Sequence, residues 1–189
     1  MVNSDANFSW INTHNELVRY LATMEDKQSD LLGILKGLDI SALNDQNPEG
    51  VQIDLEEIDP FTFFCYIYKH GPVKRLELLQ KIAQQLKLTI PHDEKGIPSS
   101  QAQKVWLFPW KYLRTHNEIK RLWSFFRDAI NNSITNEAFE DVLQIKNVGK
   151  TKLTEALFYI LPEKYLPING PTQPYIKEVL GINPEFTKS

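Results

Sequence analysis

The sequence predicts a mainly α fold, a compact multi-helix domain with at most a short strand or hairpin. Three observations carry that expectation. Apolar residues recur at three- and four-residue steps through most of the 189 residues, the spacing of one helix face. Gly71-Pro72 and Leu161-Pro162 interrupt those runs where helices should stop. Only one short stretch, Val51-Gln52-Ile53-Asp54-Leu55, alternates in the way a strand does.

In order, the pattern from Phe8 to Lys36 is helical, with Trp10, Ile11, Leu17, Val18, Leu21 and Met24 and then Leu31, Leu32 and Leu35. His14 reads as a polar-face residue. A polar loop from Ser41 to Gly50 leads into the alternating stretch. Asp59 is placed to cap a helix with Pro60 at its first position. That helix, Phe61 to Lys69, is apolar almost all round and should be central to the core. Val73 to Leu88 gives an amphipathic helix, and Asn117 to Ile130 another, ended by Asn131-Asn132-Ser133. Between them Thr89 to Gln103 is a long polar loop, of a length that often marks function. Within it His92-Asp93-Glu94 suggests a metal site only weakly, because no second histidine stands at ligand spacing.

Hydrophobic content of 42% and charged content of 24% suit a globular protein, and the length permits one sizeable core. The start, MVNSDANFSW, is unlike a secretory signal, and no apolar run approaches the roughly 20 residues of a membrane helix. A single cysteine, Cys65, lies in the apolar run FTFFCYIY and reads as a core residue. These features predict a cytoplasmic protein without membrane contact. The net charge of −3 argues against a generically basic binder, but the charge is divided. Residues 1–60 carry 3 basic and 12 acidic side chains, residues 61–189 carry 18 and 12. Lys104, Lys111, Arg114, Lys120, Arg121 and Arg127 face Glu118 alone within 104–127. An acidic helical segment, 1–50, and a helical nucleic-acid-binding domain, 51–189, follow from that division, expected to pack as one unit.

Two stretches carry chemistry. Phe139 to Gly181 reads as helix, glycine turn, helix, proline-bounded loop and helix. At its turn, Asn147-Val148-Gly149-Lys150-Thr151-Lys152, Gly149 is expected at positive φ and Thr151 as the N-cap. Gly149-Lys150-Thr151 matches the end of a P-loop, but Gln144 stands where the first glycine is needed. A helix-hairpin-helix, which offers backbone N–H groups to phosphate, is the sharper reading; an ordinary helical corner competes with it. The second stretch is Val105-Trp106-Leu107-Phe108-Pro109-Trp110-Lys111-Tyr112. Its aromatics, interleaved with Lys104, Lys111 and Arg114, suit base stacking beside phosphate contacts, or simply a core flanked by cations.

The succession IDPFTFFCYIYKHG, KVWLFPWKYLR, IKNVGKTKLTEALFYILPEKYLPINGPT and PYIKEVLGI resembles the N-terminal region of McrB-type, modification-dependent restriction ATPases, over residues 50 to 189. The resemblance implies a target-recognition module excised from a longer chain, with a AAA+ motor domain and a nuclease subunit as partners in anti-phage defence. A looser similarity is to helix-hairpin-helix DNA glycosylases, whose catalytic aspartate falls here at Asn169. An amide cannot do the work of that carboxylate.

These readings converge on a DNA-binding specificity module that recognises modified DNA and has no catalysis, metal or cofactor of its own. Asn147, Val148, Gly149, Lys150, Thr151, Lys152, Lys104, Lys111 and Arg114 would hold the DNA backbone. Trp106, Phe108, Trp110, Tyr112 and Asn169 are the base-binding candidates. A glycosylase-like enzyme and a protein-interaction module docking through the acidic N-terminal third are the alternatives.

Overall fold

A computed structural model describes residues 8–100 and 105–183, which form eight α-helices and one two-stranded ribbon. The fold is mainly helical, as the periodicity predicts, and one hydrophobic cluster runs from Trp10 to Ile160. At its centre is α3 (Pro60–Tyr68), all nine of whose residues are buried. Its start is set by Asp59, whose carboxylate accepts the N–H groups of Phe61 and Thr62 at 2.9 and 3.0 Å. Pro60 at the first position needs no such partner. Four helices pack on α3: α2 (Gln28–Gly37), α4 (Pro72–Leu86), α5 (Glu118–Ile130) and α7 (Lys150–Ile160). An apolar helix wrapped by amphipathic ones is the arrangement its composition requires.

α1 (Trp10–Leu21) packs on α4 and α7, and α6 (Asn136–Leu143) on α5. The short α8 (Gln173–Glu178) follows the proline-bounded loop. The helical run expected over Phe8–Lys36 divides into α1, a 3-10 turn at Glu25–Lys27 and α2. No proline or glycine announces the break; Met24 turns inward there and is buried. The polar loop expected over 41–50 is partly a strand. β1 (Asn44–Gln46) pairs antiparallel with β2 (Gln52–Asp54), with Asp45 opposite Ile53. Tertiary contacts, not β propensity, hold this strand in place.

The long loop after α4 is fastened to α1. Thr89 is held by Glu16 through both its N–H and its hydroxyl, and its carbonyl accepts the Thr13 hydroxyl. Asp93 accepts the N–H groups of Phe8 and Ser9, while Ser9 Oγ accepts those of His92 and Asp93. Asp93 is thus spent on the start of α1. These bonds hold its carboxyl down at about 2, below the usual carboxylate range. Gly96 sits at φ +70°, and a Cβ there would lie 2.5 Å from the Phe8 ring, so glycine is required on both counts. Farther on, Arg75 donates to the carbonyls of Ile97 and Pro98, and Ser100 N–H to that of Tyr68.

His14 is not on a polar face. It is buried, stacked on Phe64 with centroids 4.4 Å apart and 25° between the rings, and neither nitrogen has a partner. Burial pushes its pKa down to about 3 and raises that of buried Asp59 to about 6. The two oppose each other. Below pH 6.5 the unfolded chain protonates His14 while the fold refuses the proton, so acid destabilises. Between pH 6 and 4 the fold holds a proton on Asp59 that the unfolded chain releases, so acid stabilises. Wild-type stability should therefore change little through this pair from pH 6 to 4, sloping only as the chain's hydrogen-bonded carboxylates, Asp93 among them, take up protons. In an Asp59→Asn protein, which keeps a capping oxygen, it should fall from pH 6.5 downward by up to about 1.4 kcal/mol per pH unit. Urea unfolding midpoints across that range check this, and a flat profile in the variant would refute the assignment.

Candidate functional site

The site is built from three segments that are distant in sequence. The first is the β1–β2 ribbon. The alternation of side chains sends Asp45 inward and leaves Asn44, Gln46, Gln52 and Asp54 on the other face. Asp45 is 1% exposed, and its Oδ2 pairs with Arg114 at 2.6 Å. Its Oδ1 accepts the N–H groups of Gln46 and Lys111 at 2.8 and 2.7 Å. One carboxylate therefore clamps the ribbon to the aromatic segment. Desolvating such a pair is repaid only when its remaining hydrogen-bonding positions are filled, as they are here.

The second segment is 105–114. Trp106 stands with its ring centroid 4.8 Å from those of both Phe108 and Trp110. Its indole N–H donates to the Tyr66 hydroxyl at 2.6 Å, which donates in turn to the Ala42 carbonyl at 2.8 Å. Burial pushes the Tyr66 phenol up to about 12, so it stays neutral at working pH. The Lys69 ammonium lies 4.7 Å over the Tyr66 ring, and desolvation lowers its pKa.

The third segment is the α6–α7 turn. Val148 N–H bonds the Ile145 carbonyl at 3.0 Å, and both side chains are buried, which fixes the corner. The residue at positive φ is Asn147, at 80°, not Gly149, whose φ is −119°. An asparagine tolerates that region, and its side chain adds a bond to the Phe108 carbonyl at 3.1 Å. The N-cap of α7 is Gly149 and not Thr151, so the N-cap residue itself offers no side chain to the first-turn amides. Lys152 reaches back to the carbonyls of Trp106 and Asn147. The turn and the aromatic segment are thereby tied to each other.

A cavity of about 630 Å³ opens where the three meet. The ribbon supplies Asn44 and Gln52, with Ala42 beside them. Tyr66 comes from α3, Val105, Trp106 and Trp110 from the aromatic segment, and Asn147, Val148, Gly149 and Lys152 from the turn. The volume is in the range of small-molecule pockets, and its wall is apolar and aromatic with a few polar groups, the make-up of a binding site for a flat ligand. Lys152 is the charged residue on that wall among the described residues.

The predicted residues divide accordingly. The structure brings Asn147, Val148, Gly149, Lys152, Trp106 and Trp110 together at the cavity. Lys150 and Thr151 are exposed on the first turn of α7 beside it. Phe108 is fully buried in the core, under the Arg114 guanidinium 5.3 Å away. Arg114 is committed to Asp45 and to the Pro109 carbonyl, and Lys111 pairs with Glu56. Tyr112 is exposed but does not line the cavity, and Lys104 lies outside the described residues. Asn169 is also apart from it, bonded to Glu155 at 2.8 Å and to Thr172. Sequence reasoning missed Tyr66, Asn44, Gln52 and Asp45. Asn47-Pro48-Glu49-Gly50 beside an alternating stretch is a turn signal that could have shown the ribbon. Nothing in the composition of α3 singles out Tyr66 from Tyr68.

Fold and site together define a helical domain with an aromatic cavity assembled around a helix–turn–helix corner. A family described as a domain of unknown function, DUF8425, matches residues 10–187, and the chain belongs to it. No curated protein and no solved structure matches the chain. Among the described residues no helix is long and apolar enough to cross a membrane.

The Asp45 clamp sets the stability of this corner. Asp45→Ala leaves a buried guanidinium unpaired and should cost about 3–5 kcal/mol, read from denaturant unfolding. Lys111→Ala, which breaks only an exposed pair, should cost less than about 1 kcal/mol in the same assay.

Proposed function

We propose that the chain is a DNA-binding specificity module that holds the sugar-phosphate backbone at the α6–α7 turn and takes one base out of the duplex into the adjoining cavity. The observation that carries this reading is the adjacency of the two features. The start of α7, whose N-cap residue Gly149 brings no capping side chain, adjoins a cavity walled by Trp106, Trp110 and Tyr66. Helix-start amides favour an anion, and aromatic walls favour a planar ring. A nucleotide carries both groups at the spacing of one sugar. Lys150, exposed at the first position of α7, adds charge on the backbone side.

Extrusion suits the inspection of a modified base, since a modification is most fully read outside the stack. The resemblance to McrB-type restriction ATPases supports that context. A AAA+ motor on a longer chain and a nuclease subunit would then complete the system. A binding role is favoured over base excision, because the acidic residues near the turn do not line the cavity. Glu155, the nearest in sequence to Lys152, is bonded to Asn169.

Anisotropy of short labelled duplexes, unmodified or carrying methylated or hydroxymethylated bases, tests this across a salt series. Affinity should fall linearly with salt on logarithmic axes. Lys150→Glu should weaken binding about tenfold on every duplex and flatten the salt slope by about one or more. Trp110→Ala should cost about tenfold only where a base is available to stack. No binding at the lowest salt would end the nucleic-acid reading.

A further inference from the structure

The amide pair on the β1–β2 ribbon is unexplained by backbone binding or stacking. Asn44 Nδ2 donates to Gln52 Oε1 at 3.0 Å, across the strands and on the face turned to the cavity. That bond uses one donor of Asn44 and one lone pair of Gln52. It leaves Asn44 Oδ1 as an acceptor beside Gln52 Nε2 as a donor. The pair is held in place from behind, because Asp45, between Asn44 and Gln46, is the buried clamp to Arg114 and Lys111. The other polar groups of the wall are largely occupied: Tyr66 and Trp106 bond each other, and Asn147 Nδ2 bonds the Phe108 carbonyl.

We infer that Asn44 and Gln52 are the specificity-determining residues of the cavity and read the hydrogen-bonding edge of the base that enters it. This rests on the DNA-binding reading above. The ligand class follows from depth. Asn44 is half-buried and Gln52 exposed, so the acceptor stands inward and the donor at the rim. A base entering with its sugar at the mouth turns its exocyclic group inward and its ring nitrogen toward the rim. The inward group must then be an amine and the ring nitrogen an acceptor. Cytosine and adenine meet that pattern; thymine and guanine present a carbonyl and a ring N–H instead and leave both amides opposed. One base does not fill a volume of about 630 Å³, which leaves space for a substituent on the ring.

The test uses duplexes with one central base opposite an abasic site, which makes extrusion cheap. Binding of the cytosine, adenine, thymine and guanine versions is measured for the wild type, Asn44→Ala and Gln52→Ala. The wild type should favour the cytosine and adenine duplexes by about tenfold. Each variant should lose that ranking, so that the four duplexes bind it with similar affinity, whereas Lys150→Glu should weaken all four and keep the ranking. Unchanged circular-dichroism melts will show that the variants fold. An absent ranking in the wild type, or one that survives in both variants, overturns the edge-reading role and leaves backbone binding standing. Failure of the wild type to bind any duplex instead overturns the nucleic-acid reading on which the role depends.

Discussion

The cavity depends on one carboxylate. Asp45 is removed from water and ties two segments that share no secondary structure, a three-residue strand and the aromatic stretch that follows the long loop. Neither segment would hold its position alone. A ribbon of two short strands is at best marginal in water, and the 105–114 stretch contains only one 3-10 turn. Charge-assisted bonds from Arg114 and a backbone amide give both a fixed seat, and Trp106 then locks onto Tyr66 of the rigid α3. The arrangement is a preorganised wall on a helical scaffold. Its precision comes from burial, not from regular structure.

Much of the helical scaffold was legible in the sequence. The Asp59-Pro60 start of α3, its all-round apolar character and the stop of α7 before Pro162 followed from local rules, and all three hold. What failed to show were features set by contacts between distant residues. His14 looks polar in isolation, yet α1 turns that residue into the core against Phe64 of α3. The break between α1 and α2 has no local breaker. At the turn, the rule that assigns positive φ to glycine pointed to Gly149, while the Phe108 carbonyl rewards Asn147 for taking that conformation.

The site was legible in halves. The turn and the aromatic stretch each stood out by composition, and the structure sets them around one cavity. The third wall did not stand out, because the residues that build it are a polar loop and one of two tyrosines in a largely apolar helix. Nor could spacing show which cations are committed. Arg114 and Lys152 look alike on paper. One is spent on a buried carboxylate, while the other braces the cavity wall through two carbonyls.

The position of Cys65 gives the molecule a property of its own. The chain's single thiol lies in α3, is fully covered, and burial pushes its pKa well up. No thiolate forms there near neutrality, so alkylating reagents find nothing to react with while α3 stays seated against α7. Labelling then counts the openings, local or global, that uncover α3. Tyr66 of the cavity wall belongs to the same helix, so the same chemistry clocks how often the element that carries it comes loose.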